Sequence, residues 1–399
     1  MREREPLLDG IRGLAILLVL AYHVGIFAGL NGRTGLDRFM QVAADQMWVG
    51  VDLFFVLSGF LITGILYTTK ESVSYFRTFY GRRILRIFPL YYGFLVVAFL
   101  LFPLWLPPDE ASHLAATQGW YWFYLSNVQV ALHGWQEPLH LGHFWSLAVE
   151  EQFYLLWPLA VWALDRKWLM RLAVACFVGA LALRLIKPFG LTDLAAHVLL
   201  PTRMDSLAAG AWLALYGRGE RGLAAVGRWP VVIFATCVVT YVGLHVVPDP
   251  GEHLQPLVRA VRYTLIAAAS GSLLAFALGR APASRLRRAI SSAPLVFLGK
   301  YSYGLYVVHV PTILFVARAG LDAGSLPEWS GSMLPGLVLF GLVGGGLSIA
   351  CAVVLYHVWE EPFLRLKHRL PYRVPDPRPV ALVLPSARGA LRVAHERAP

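Results

Sequence analysis

The stretch LDGIRGLAILLVLAYHVGIF, residues 7–26, has the length and apolarity of a membrane-spanning helix, yet it carries Arg12 and His23. An arginine inside hydrocarbon costs roughly 2.5–3.5 kcal/mol on insertion scales. A neutral histidine still needs partners for its ring nitrogens. Eleven residues separate the two, an advance of three turns plus about 20°, so both side chains share one helix face about 16 Å apart along the axis. A polar seam turned toward the interior of a helical bundle explains that register; two unrelated polar intrusions would not need to share a face.

The rest of the chain repeats this pattern. Of the 399 residues, 57% are hydrophobic and only 15% charged, with a mean hydropathy of +0.57. Soluble domains carry about 25% charged residues. Long apolar runs recur to residue 358, so the expected fold class is all-α: a polytopic membrane protein of about ten transmembrane helices around a buried polar cavity. A transmembrane β-barrel would show short alternating strands instead. The first apolar run is long and has no small-residue cleavage site after it, so it reads as span one rather than a signal peptide. Cys176, Cys237 and Cys351 each sit in an apolar run and outside any CxxC or His-rich cluster, which argues against a disulfide framework and against a metal site.

The expected spans are 10–29, 48–68, 88–107, 143–164, 168–187, 196–216, 229–247, 258–279, 293–317 and 333–358. With the N-terminus placed inside, Lys and Arg favour the inner segments by about three to one, so both termini are expected in the cytoplasm and the protein in the inner membrane. The formal charge of +11 is spread over short inter-span loops, a pattern of membrane orientation and not of nucleic-acid binding. The outer segment 108–142 holds no Lys or Arg and is rich in His, Trp and Tyr, as an interfacial segment would be. Residues 1–370 form the expected transmembrane domain, and 371–399 a Pro- and Arg-rich cytoplasmic tail expected to be mostly disordered.

Polar stations interrupt the apolar runs. FYGRRILRIFPLYY, residues 79–92, gathers Arg82, Arg83 and Arg86 at the cytoplasmic edge of span three. Such a cluster anchors anionic headgroups, or cradles a phosphorylated ligand through its planar forks. GHFWSLAVEEQFYLLWPL, residues 142–159, places His143, Ser146, Glu150 and Tyr154 on one stripe, with Glu151 about a hundred degrees round. Two adjacent carboxylates at that depth are costly and point to function. Asp52 and Ser58 in span two, Arg203 and Asp205 in span six, Lys300, Tyr303, Tyr306 and His309 in span nine, and Glu360 and Glu361 closing span ten suggest a polar interior shared by several helices. Each alone also reads as a hydrogen-bond anchor.

In chain order, LDGIRGLAILLVLAYH, VGVDLFFVLSGFLI, RRILRIFPLYY, FWSLAVEEQFYLLWP, RMDSLAAG, YSYGLYVVHVP and WEEP resemble the motifs of the acyltransferase-3 family of integral membrane O-acyltransferases, over about residues 7–366. The resemblance implies a ten-helix core. It implies transfer of an acyl group, usually acetyl, from cytoplasmic acyl-coenzyme A to a hydroxyl of a glycan, a lipid-linked sugar or a secreted small molecule. The family's Arg-x10-His motif falls on Arg12 and His23, and its Arg-x-x-Arg motif on Arg83 and Arg86. Some members carry a fused extracytoplasmic domain, and none is expected here.

On that footing His23 is the expected general base, with Glu150 or Glu151 orienting its ring, Glu150 being favoured by the stripe. Arg83 and Arg86, with Arg82 and Arg12, are the expected contacts for the acetyl-coenzyme A donor, and no metal is called for. Asp52, His143, Arg203, Asp205, Tyr303 and His309 are candidates to line the acceptor site. The expected partners are acyl-coenzyme A, a hydroxyl-bearing glycan or small-molecule acceptor and the lipid bilayer; a homo-oligomer is compatible with the sequence. The rival readings, a proton-coupled transporter or an export subunit without acyl-transfer chemistry, account for intramembrane His and Glu. They do not account for the arginine cluster, and no inverted repeat supports the first.

Overall fold

The computed structural model describes residues 5–29, 34–105, 108–135, 138–219, 222–246, 254–281, 284–321, 325–326 and 328–372. The tail expected to be disordered lies, from residue 373 on, outside the described residues. Among the described residues ten long helices carry the architecture: α1 (Pro6–Phe27), α2 (Gly50–Thr68), α3 (Tyr75–Val96), α4 (Trp145–Ala163), α5 (Arg166–Ile186), α6 (Leu200–Tyr216), α7 (Trp229–Val246), α8 (Gln255–Leu278), α9 (Ala293–Val316) and α10 (Leu334–Leu355). Each corresponds to one expected span. Among the described residues there is no β-strand, only an isolated bridge between Trp329 and Ser332.

Seven of these segments are long and apolar enough to cross a membrane on length and composition alone. The other three are α4, α6 and α7. Helix α4 carries Glu150, Glu151 and Gln152 in succession, and α6 has 17 residues including Arg203 and Asp205. The apolar run of α7 is the shorter Trp229–Leu244. The protein is thus an all-α polytopic membrane protein.

Local sequence explains the helix ends. Proline opens α1, α6, α8, α9 and α10, where its missing N–H costs no intrahelical bond. Asp165 caps α5 by accepting from the Trp168 backbone N–H at 2.9 Å. The segment expected as an interfacial loop is more ordered than its composition implies. It contains two helices, Pro108–Trp122 and Ser126–His133. The Tyr91 hydroxyl donates to the Tyr121 carbonyl at 2.8 Å, Tyr92 to Trp122 at 3.1 Å, and Gln152 to Tyr124 at 2.9 Å. Aromatic rings supply the bond donors and the apolar area in one side chain, which is why a segment without Lys or Arg can dock on α3 and α4.

Helix pairs α1–α9, α2–α6, α5–α6, α7–α8 and α9–α10 form the most extensive contacts. Lipid tails are as apolar as leucine, so these contacts rely on close fit rather than on hydrophobic exclusion. Two glycines set the α2–α6 distance. A Cβ on Gly59 would stand 1.9 Å from the Leu207 carbonyl oxygen, and one on Gly210 1.8 Å from that of Val56. Gly299 on α9 meets the Asp9 carbonyl of α1 just as closely, at 1.8 Å.

Gly210→Ala therefore has to push α2 and α6 apart, at an expected cost of about 1–3 kcal/mol, the usual range for overpacking. Gly346→Ala is the control, because nothing lies within 4 Å of its added methyl. It should be neutral, or stabilising by up to about 1 kcal/mol through helix propensity. Thermal unfolding of both variants in detergent checks the contrast; equal melting temperatures would mean that α2 and α6 are not in backbone contact.

Candidate functional site

A chamber opens between α1, α2, α3, α4 and α9, enclosing about 820 Å³ with its mouth included. Its wall carries Arg12, Arg83 and Arg86, the carboxylates Glu150 and Glu151, and the hydroxyls of Ser58, Ser146, Tyr154, Tyr303 and Tyr306. The polar stripe of α4 thus faces inward, as its spacing requires. A second recess of about 570 Å³ shares Arg12, Leu61 and Arg86 with the chamber and adds Lys300, Glu5 and Asp9. The acids of this recess already have partners: Asp9 accepts from Arg12 at 2.9 Å and Glu5 from Arg287 at 2.6 Å. Arg86 lines both spaces, and it brings the cations of the chamber wall beside Lys300 of the recess. The guanidinium of Arg83 lies over the Tyr154 ring, 4.8 Å from its centre.

Within the chamber, the Ser58 hydroxyl donates to Glu150 at 2.5 Å and lies 2.9 Å from the Tyr154 hydroxyl. At the far end, Ser146 and Tyr306 hydrogen-bond to each other, and Tyr306 donates to the His143 carbonyl at 2.9 Å. Beyond that contact three imidazoles cluster. The ring of His309 is 4.8 Å from that of His23 and 5.1 Å from that of His143, and the rings of His23 and His143 are 6.1 Å apart. Among the described residues no three metal-ligating side chains are arranged to hold a metal ion.

The expected pairing of His23 with a carboxylate does not occur. Its Nδ1 faces the Val19 carbonyl at 3.0 Å and the Nε2 of His309 at 3.2 Å, whereas Glu150 is engaged by Ser58. The reason is axial. His143, not Glu150, is the member of the α4 stripe at the level of His23. Seven residues then separate His143 from Glu150, about 10 Å of helix.

The other candidates divide by helix face. Tyr303 lines the chamber and donates to the Ile87 carbonyl at 2.7 Å. Arg82, one residue from Arg83, turns away; it donates to the Leu370 carbonyl at 3.0 Å and lies over the Tyr372 ring. Of the carboxylates closing α10, Glu360 is buried, while Glu361 pairs with His357 and Arg365. Ser58 and Tyr306 were readable only as isolated polar stations. Their signal was register: Tyr306 precedes His309 by three residues, so the two share a face.

Asp52, Arg203 and Asp205 line neither the chamber nor the histidine cluster; they form a sealed network. Arg203 donates to Asp52 at 2.7 Å with both side chains fully buried, and Ser206 donates to the other Asp52 oxygen at 2.5 Å. Rings of Trp48, Phe55, Trp145 and Tyr263 surround the guanidinium at 4.7–5.9 Å. Arg184 donates to Asp205 and to Thr264, each at 2.6 Å, and to the Ala260 carbonyl at 3.1 Å. The two pairs tie α2, α5, α6 and α8 together. Asp52→Ala leaves a buried, uncompensated arginine and should destabilise the fold by about 3–5 kcal/mol. Ser206→Ala removes one hydrogen bond to a charge, worth about 1.5–3 kcal/mol. Thermal unfolding in detergent orders the two; Asp52→Ala melting with the wild type would show the pair to be solvated.

Comparison with known proteins follows the same lines. The chain is 28% identical over 333 residues to the peptidoglycan O-acetyltransferase OatA of Listeria monocytogenes, covering 78% of this chain and 50% of that protein. It is 28% identical over 337 residues to the O-acetyltransferase OatA of Staphylococcus aureus, covering 78% of this chain and 51% of that one. The chain thus spans about half the length of these two relatives. Over 408 residues it is 29% identical to the acyltransferase MdmB of Streptomyces mycarofaciens, covering 94% of this chain and 96% of that protein. No solved structure gives a significant match. The family model described as an acyltransferase domain matches residues 6–357, and the chain belongs to that acyltransferase-3 family.

Proposed function

We propose that the protein is an O-acyltransferase that moves an acyl group, acetyl in the simplest case, from cytoplasmic acyl-coenzyme A to a hydroxyl of a glycan, a lipid-linked sugar or a secreted small molecule. The observation that carries this reading is the chamber itself: Arg83 and Arg86 stand on its wall, and the Ser146–Tyr306 contact that lines it packs against the histidine cluster, the Tyr306 ring lying 5.7 Å from that of His143 and 5.5 Å from that of His309. Coenzyme A is anionic at its nucleotide end and slender along its pantetheine arm. Arg83, Arg86 and Lys300 suit the phosphates, and the chamber suits the arm. The relatives' names, a peptidoglycan O-acetyltransferase and an acyltransferase, support O-acyl transfer.

The chemistry falls to His23. A hydroxyl is too weakly acidic to attack a thioester unaided, and a positioned base contributes typically 10²–10⁴-fold. The Nε2 of His23 takes the hydroxyl proton as the oxygen adds to the thioester carbonyl. The tetrahedral intermediate then expels the thiolate, which takes that proton back from the imidazolium. The products are the ester and free coenzyme A thiol.

Orientation is the first test. The charge pattern puts the segment after α2 in the cytoplasm of an inner-membrane protein, with both termini, and the helix Pro108–Trp122 outside. Val73→Cys and Ser112→Cys, both at exposed positions, are placed in a background lacking the native cysteines and labelled in intact cells with an impermeant maleimide. Labelling is expected at 112 and not at 73; the reverse would remove the cytoplasmic donor.

Donor binding is the second test. A lipid-anchoring arginine works by charge, so lysine replaces it well; a phosphate cradle depends on the planar fork, so lysine replaces it poorly. Losing one charge-assisted bond of about 1.5–3 kcal/mol should weaken acetyl-coenzyme A binding by roughly 10- to 150-fold in Arg83→Lys or Arg86→Lys. Calorimetry on the solubilised protein reads this. Turnover of acetyl-pantetheine, which lacks the phosphates, should change little. Unchanged coenzyme A affinity in both variants would return these arginines to the lipid surface.

A further inference from the structure

The two histidines that meet between α1 and α9 differ in what surrounds them. His309 is completely buried. Its Nδ1 lies 2.8 Å from the Tyr306 carbonyl oxygen and 3.1 Å from that of Leu305. Carbonyl oxygens only accept, so that nitrogen bears the proton. A neutral imidazole has one N–H, and the Nε2 of His309 is therefore an acceptor. It faces the Nδ1 of His23 at 3.2 Å. The same His23 nitrogen faces the Val19 carbonyl at 3.0 Å. Both neighbours accept, so His23 is protonated at Nδ1 and presents a bare lone pair at Nε2.

We infer that His309 is a positioning residue for His23: it fixes the tautomer in which Nε2 is the base and fixes the direction of that lone pair. A histidine free in water favours the opposite tautomer, with the proton on Nε2, in which the atom aimed at the acceptor could not take a proton. The serine triad solves the same problem with a carboxylate at Nδ1, where loss of the correct tautomer costs about 10⁴ in kcat. Here a second imidazole does so. Its own tautomer is set by two backbone carbonyls, so the assignment is passed from the α9 main chain to the base on α1. A neutral acceptor suits an intramembrane site, because it orients the base without burying another full charge. The ring of His143, 5.1 Å from that of His309, packs on the pair edge-on and leaves His309 little room to rotate.

This inference rests on the reading of His23 as the base, and the experiment separates the two. The full-length protein is labelled with 15N-histidine and reconstituted in liposomes. The ring signals of His23 are assigned by their loss in His23→Ala, and its tautomer is read by solid-state nuclear magnetic resonance. Thiol release from acetyl-coenzyme A is measured alongside, with a peptidoglycan disaccharide as acceptor probe. Wild-type His23 should show a protonated Nδ1 and a bare Nε2. His309→Leu should bring up a population protonated at Nε2 and lower kcat by about 10²–10⁴-fold, the range of general-base catalysis, with KM for acetyl-coenzyme A unchanged. His309→Gln, whose Oε1 stands where Nε2 stood, should restore the wild-type tautomer and most of the turnover. If the leucine variant does not insert, His309→Asn takes its place: it is polar but one methylene short of His23. An unchanged His23 tautomer in the leucine or asparagine variant overturns the inference, whatever happens to the rate. Full activity in His23→Ala would instead sink the base assignment, and the tautomer signals would still decide whether His309 orients that ring.

Discussion

The close approach of α1 and α9 is the constraint on which the site depends. Gly299 admits the Asp9 carbonyl to within the radius of a missing methyl, and Gly13 does the same for the Leu295 carbonyl. The two helices run parallel, since residues 9–13 lie beside 295–299 and His23 lies beside His309. The midpoint of residues 9–13 and that of 295–299 each lie twelve residues before the histidine of the same helix, an equal rise of about 18 Å. Equal advance along parallel helices keeps the two imidazoles level, and backbone contact brings them within hydrogen-bond reach. A bulkier residue at either glycine would separate the rings without touching them.

Charge in the interior is handled in two ways, and the difference separates scaffold from site. On α2 and α6 the buried carboxylates of Asp52 and Asp205 each meet an arginine at 2.6–2.7 Å, and aromatic rings cover the Arg203 guanidinium. Such pairs contribute little net stability but are expensive to break. They lock α2, α5, α6 and α8 into one block. In the chamber Arg83 lies on a tyrosine ring and Glu150 takes a serine hydroxyl, and no ion pair joins these two. Charges held apart in a cavity remain available to a ligand, whereas charges satisfied by each other do not.

What the sequence makes legible is depth and face. The ten apolar runs locate the ten long helices, and the spacing of Ser146, Glu150 and Tyr154 locates the inward side of α4. Rotation relative to a partner helix is not legible, because it depends on contacts between segments hundreds of residues apart. Hence the sequence placed Glu150 with His23, and structure puts His309 there. Asp52 and Arg203 looked like cavity polar groups because an intramembrane charge signals only that a partner exists, not that the partner is in the same protein. Arg82 and Arg83 share a motif and a depth, yet a turn of about 100° sends one to the chain's C-terminal segment and the other to the chamber. The helices within 108–133 escaped notice because aromatic side chains at a membrane interface look alike whether they meet lipid or tyrosine.

The Ser146–Tyr306 contact gives the proposed reaction its direction. A donor arm entering past Arg83 and Arg86 reaches this pair of hydroxyls before it reaches any histidine. An acceptor coming from the other side of the membrane meets the imidazoles first. In the proposed reaction the thioester and the hydroxyl approach from opposite sides of this hydrogen bond, which has to open for the thioester to reach His23. Coenzyme A is too large and too charged to cross the bilayer, and on the proposed reading its phosphates stay at Arg83 and Arg86. On this reading the hydroxyl pair marks where the acyl group changes hands, which ties the Ser146–Tyr306 contact to the geometry of transfer.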